Sequence, residues 1–105
     1  MTRAGEDGPA AHRIARLTEL LHDELRAIFR DDVSDPALAG LEIPAVVLSV
    51  DYRHLRVHCT LPPGAPARRE VARRLERAKP FVRARLADAV DMKRTPDLDF
   101  VIDVV

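Results

Sequence analysis

Ten basic side chains crowd into residues 66–94: Arg68, Arg69, Arg73, Arg74, Arg77, Lys79, Arg83, Arg85, Lys93 and Arg94. Four carboxylates accompany them, which leaves that block at net +6, while residues 1–65 and 95–105 are each net −3. The whole chain is formally neutral, but local potential, not net charge, governs attraction to phosphate. All but two of the 17 basic residues are arginine, whose planar fork grips phosphate bidentately. Arg69, Arg73 and Arg77 recur every four residues and so share one stripe of a helix. Like charges at that spacing repel by a few tenths of a kcal/mol per pair, a cost that an anionic partner offsets. Lys79 and Arg83 flank Pro80, where a new helix start would leave amides open to phosphate. A solvated helix face balanced by Glu70, Glu76 and Asp88 is the competing reading.

Other chemistry has less under it. His54, His58 and Cys59 suggest a metal, but strand alternation points Cys59 away from His58, and there is no second ligand pair. Cys59 is therefore expected to be a buried core thiol, and neither metal nor cofactor is expected. His12 and His22, ten apart, suggest no site. Asp97, Asp99 and Asp103 share a strand face with no His, Lys or Tyr close in sequence, which suits a solvated edge that discourages aggregation. The chain has no Gly-rich phosphate loop, no Gly-x-Ser-x-Gly and no Ser/His/Asp order. No enzymatic activity and no small-molecule substrate are expected.

The elements that must position these residues follow from periodicity. Residues 1–9 are polar, contain Gly5, Gly8 and Pro9, and read as a flexible tail before a domain over 10–105. From Ala10 to Arg30, Ile14, Leu17, Leu21, Leu25 and Ile28 form one helical stripe, widened by Leu20 and Phe29. Ser34-Asp35-Pro36 is a turn or cap, and Gly40 is a site of positive φ. Ala45–Asp51 is a β-branched strand. Leu55–Leu61 alternates strictly, with Leu55, Val57, Cys59 and Leu61 on one face. Asp51–His54 joins the two strands as a hairpin. Pro66–Lys79 is a second helix with the stripe Val71, Leu75 and Ala78. Pro80 predicts a break between residues 78 and 81, after which Val82, Leu86, Ala89 and Val90 continue a third helix. Asp97–Val105 is the last strand. The order α-β-β-α-(kink)-α-β implies an α+β domain, with a three-stranded mixed sheet packed on helices and a right-handed crossover.

At 105 residues and 47% hydrophobic content, one domain with a real core is expected. The single cysteine argues for a reducing compartment. No apolar run approaches a membrane span, and residues 1–11 lack a signal-peptide apolar segment. A cytoplasmic monomer without membrane association is expected. One Tyr, three Phe and no Trp leave few rings, so RNA would be recognised by shape rather than by stacking.

Three stretches, in order and spacing, resemble the ribosome-binding factor A family from about His12 to Asp103. The first is the amphipathic helix running into Asp35-Pro36-Ala37-Leu38. The second is Val46–Thr60, with Ser49-Val50-Asp51 and Val57-His58-Cys59-Thr60. The third is Ala78-Lys79-Pro80-Phe81-Val82-Arg83 with Pro96-Asp97-Leu98-Asp99-Phe100 downstream. The resemblance implies a KH-like fold of the second type. It also implies association with the immature small (30S) ribosomal subunit and its 16S rRNA, in late maturation, rRNA processing and cold adaptation. The residues expected to meet RNA are Arg68, Arg69, Arg73, Arg74, Arg77, Lys79, Arg83, Lys93 and Arg94, around an interhelical kink at Ala78, Lys79 and Pro80. Two departures stand out. Pro80 replaces the family's kink glycine, which puts any backbone clamp on RNA there in doubt. Pro44 replaces a threonine, so the start of the first strand is expected to be an edge or a bulge. Relatives often carry a charged C-terminal tail, whose function is not expected here. The alternative is a protein–protein adaptor, which would show a contiguous apolar surface patch. A weaker rival is a hydrolase built on the Asp97–Asp103 edge.

Overall fold

The computed structural model describes residues 8–103. The expected tail, residues 1–9, therefore lies outside the described residues except for Gly8 and Pro9. Pro9 opens the first helix, α1 (Pro9–Ala27), a position where its missing amide hydrogen costs nothing. Leu21, Leu25 and Ile28 from the predicted stripe are buried. Leu20 is not part of that face as expected: it sits 46% exposed, because its neighbour Leu21 takes the core direction. The expected last helical turn is a π turn over Ile28–Asp32, closed by Val33 N–H donating to the Ile28 carbonyl at 3.0 Å. Phe29 and Val33 both pack against the core from this segment, and Phe29 meets Phe100 edge to face at 6.0 Å.

Asp35 caps the short 3₁₀ turn Pro36–Leu38 by accepting from the Ala37 amide at 2.9 Å, and Leu38 is driven into the core. Gly40 has φ +78°, and a Cβ there would also meet Pro62 Cγ at 3.2 Å. Both facts favour glycine.

β1 runs over Glu42–Leu48 and β2 over His54–Thr60. β1 starts and ends three residues before the expected strand, because Pro44 does not stop it. The register slips between Glu42 and Ala45, and β1 is an edge strand, so the bulge absorbs the missing donor. The connection is Ser49–Arg53. There Asp51 accepts from Ser49 Oγ at 2.6 Å and from the Arg53 amide at 3.0 Å, while Tyr52 takes φ 65°.

α2 is a single helix, Arg68–Ala89, with Pro80 inside it. The predicted break between residues 78 and 81, and with it a separate third helix, is not present. The reason is phase. Val71, Leu75, Ala78, Val82 and Leu86 keep helical spacing across Pro80, and all but half-buried Ala78 are fully buried. Burying that continuous face outweighs a proline cost of about 3 kcal/mol. Pro80 itself is exposed, so the Glu76 carbonyl it leaves unpaired is on the solvent side.

β3 (Asp97–Ile102) pairs parallel to β2, which pairs antiparallel to β1, in the order β1-β2-β3. This is the α+β arrangement, a three-stranded mixed sheet packed on helices, that the resemblance implies. Val104 and Val105 of the expected strand lie outside the described residues. One sheet face, with Ile43, Val46, Leu48, Leu55, Val57, Cys59, Leu98 and Ile102, is buried under the helices. The other carries His54, Arg56, His58, Asp97 and Asp99. No polar side chain is buried among the described residues. Cys59 is wholly buried, and burial together with the Asp103 charge pushes its thiol up to about 12, so it stays protonated. No described helix is long and apolar enough to cross a membrane.

Candidate nucleic-acid interface

The periodicity that turns Leu75 and Val82 inward turns Arg69, Arg73 and Arg77 outward. All three are exposed. From Arg69 to Arg77 is eight residue steps, about 12 Å of helix at 1.5 Å per residue. Arg73 leans on Glu70, one turn back. Arg69 and Arg77 have no carboxylate partner among the described residues. The same i,i+4 ridge runs on past Pro80 to Phe81, 45% exposed, and Arg85. The Arg85 guanidinium lies 5.5 Å from the Phe81 ring centre, with its Nε 3.5 Å from Asp32.

Other predicted cations work inside the protein. Arg68 donates to the Ile102 carbonyl at 2.7 Å and ties the start of α2 to the end of β3. Arg83 donates to the Thr95 and Pro96 carbonyls at 2.8 and 3.2 Å and lies 3.4 Å from Asp97, which fixes the chain entering β3. Lys79 pairs with Glu76 at 3.0 Å. Because α2 is continuous, Lys79 and Arg83 do not flank a new helix N-terminus, and the amides expected to face phosphate there lie within the helix.

Arg74 is the hub of a staple. Its Nη1 donates to both Asp35 oxygens at 2.8 Å and its Nε to Glu70 at 2.8 Å, which fastens α2 to the 3₁₀ turn. The Ala37 amide, then Arg74, holds the Asp35 carboxyl below its ordinary 3.8. Arg73, then Arg74, holds Glu70 below its ordinary 4.5. As pH falls through that range the unfolded chain takes up protons first, so stability present above it is lost. Denaturant midpoints measured from neutral to acid pH are expected to fall below about pH 5, and less steeply in Asp35→Asn. An equal slope in both proteins would remove Asp35 from the staple.

Lys93 and Arg94 are exposed in the α2–β3 connection, with no carboxylate partner among the described residues. The parallel pairing brings Arg53 to the same end, its carbonyl accepting from the Asp97 amide at 2.8 Å. Arg53 is exposed and was not among the expected residues, since nothing local to the hairpin reveals that it lies beside the entry to β3. Phe81 carries a signal that spacing does contain, four residues from both Arg77 and Arg85.

Asp97 and Asp99 share a sheet face with His54 and Arg56, while Asp103, six residues from Asp97 and about 20 Å along a strand, faces His58 Nδ1 at 3.3 Å. Among the described residues no group of three His, Cys, Asp or Glu could hold a metal. The exposed large hydrophobics, Leu20, Val47, Val50 and Phe81, lie on α1, β1, the β1–β2 turn and α2.

The family model described as ribosome-binding factor A matches residues 13–105. A ribosome-binding factor A from Heliobacterium modesticaldum is 34% identical over 95 residues, which is 90% of this chain and 78% of that protein. The crystal structure of ribosome-binding factor A from Thermus thermophilus superposes with a TM-score of 0.66 at 33% identity, covering 89% of this chain and 93% of that one. A Thermus thermophilus homology model fitted into the cryo-EM map of a complex of the 30S subunit with ribosome-binding factor A gives 0.60 at 34% identity, over 88% and 92%. Motif order, strand topology and these matches converge: the chain belongs to the ribosome-binding factor A family.

Proposed function

We propose that this protein binds the immature small ribosomal subunit through 16S rRNA phosphates and assists late maturation and rRNA processing in the cytoplasm, by binding rather than by catalysis. The observation that carries the reading is the outward face of α2. Arg69 and Arg77 stand there without a carboxylate partner among the described residues, beside exposed Arg73. Phosphate would relieve the mutual repulsion of that stripe. A relative fitted into a 30S complex supports the same direction. Lys93, Arg94 and Arg53, grouped at one end of the sheet, extend the cationic surface beyond the helix. An adaptor would expose a contiguous apolar patch, whereas the exposed large hydrophobics are distributed over four elements.

Sedimentation tests this reading. Tagged protein is expected to travel with free small subunits in excess of assembled ribosomes. Equal partition, or migration with neither, would overturn it.

A further inference from the structure

We infer that Phe81 is a stacking platform for an unpaired nucleobase, set within the basic ridge of α2. The inference rests on the RNA-binding reading and adds to it a contact that is not electrostatic. Phe81 occupies the fourth place of an i,i+4 row whose other members are Arg69, Arg73, Arg77 and Arg85. A phenyl ring in a row of guanidinium groups pays a hydration cost that a fifth arginine would not. The ring is 45% exposed even though the Arg85 guanidinium already lies over it at 5.5 Å. Asp32, reaching across from the π turn, holds Arg85 in that position at 3.5 Å. One side of the ring is thus backed by a cation that is itself anchored, nearly half of the residue meets solvent, and Arg77 stands one turn back on the same ridge.

That arrangement matches what a splayed base needs. Single-stranded RNA is gripped by pairing a π face for the base with cations for its phosphates. Arg77, one turn away and without a carboxylate partner among the described residues, is placed to take the phosphate of a nucleotide whose base lies on Phe81. The expectation that recognition is by shape alone, drawn from the scarcity of rings, gives way at this one position. A fully paired helix keeps its bases stacked internally and has nothing to offer Phe81, so the site selects a loop, bulge or strand end.

The test compares a short oligoadenylate with a fully paired RNA duplex, each titrated at two salt concentrations. Phe81→Leu keeps the apolar bulk and removes the π face. It is expected to weaken oligoadenylate binding about tenfold at both salt concentrations, leaving the salt slope and duplex binding unchanged. Phe81→Tyr is expected to bind like the parent. Arg73→Glu/Arg77→Glu serves as the control, weakening both RNAs and flattening the salt slope. If Phe81→Leu matches the parent on oligoadenylate while the control loses affinity, the stacking site is overturned and the RNA reading stands. If the control also binds unchanged, the α2 ridge is removed from the interface and the stacking site with it.

Discussion

Reversing Arg73 and Arg77 together to glutamate is expected to cost on the order of a hundredfold in affinity for small-subunit RNA near 0.1 M salt. Each phosphate contact contributes about 0.9 to the slope of log affinity against log salt, so losing one contact near 0.1 M costs roughly eightfold. Two lost contacts approach the hundredfold figure, and two new negative charges add repulsion. Arg73→Glu also leaves Glu70 beside a second carboxylate in place of its cation. The salt slope should fall by about two. Both side chains are exposed, so the thermal unfolding midpoint should move little. Binding isotherms at several salt concentrations provide the check. A double variant with parental affinity and slope would remove the α2 ridge from the interface and leave the end of the sheet near Arg53, Lys93 and Arg94 as the remaining cationic surface.

Pro80→Ala is expected to stabilise the protein by about 2 kcal/mol. A proline inside a helix costs about 3 kcal/mol through a lost hydrogen bond and a ring clash with the preceding turn. The stiffer unfolded chain that proline confers returns up to about 1 kcal/mol, and that return disappears in the variant. Alanine restores a donor for the Glu76 carbonyl, and position 80 is exposed, so no core contact is lost. For a domain of this size the midpoint should rise by roughly 10 °C, measured by calorimetry. A fall instead would mean that a bend at Pro80 is required for Val71 and Leu75 on one side, and Val82 and Leu86 on the other, to reach the same sheet.

Where periodicity is local and strong, the elements are legible. Leu21, Leu25 and Ile28 mark α1, and the alternation of Leu55, Val57 and Cys59 marks β2 and its buried face. Pro44 sits at the edge-strand bulge that it announces. Pro80 misleads: it is a valid local stop signal, overridden by burial on both of its sides through a continuous apolar stripe in α2. The basic block is equally legible as charge. Its division of labour is not, because the fold's claims on it come from afar. Arg74 finds Asp35 39 residues away, and Arg68 finds the Ile102 carbonyl 34 residues away. No window along the chain distinguishes these arginines from Arg69 and Arg77. Arg53 is hidden for the same reason, since its neighbourhood depends on the parallel pairing of β2 with β3.

That pairing also governs the order of events during synthesis. β2 is the central strand, yet its second neighbour is the last element of the described chain. Until β3 has left the exit tunnel, Leu55, Val57 and Cys59 belong to a two-stranded hairpin with an open edge, and α2 has no β3 to pack against. Such intermediates attract other chains, so cooperative folding has to wait for β3 to emerge. A released chain ending before Asp97 would therefore be prone to aggregation and sensitive to protease, and one that includes the six residues of β3 should be resistant.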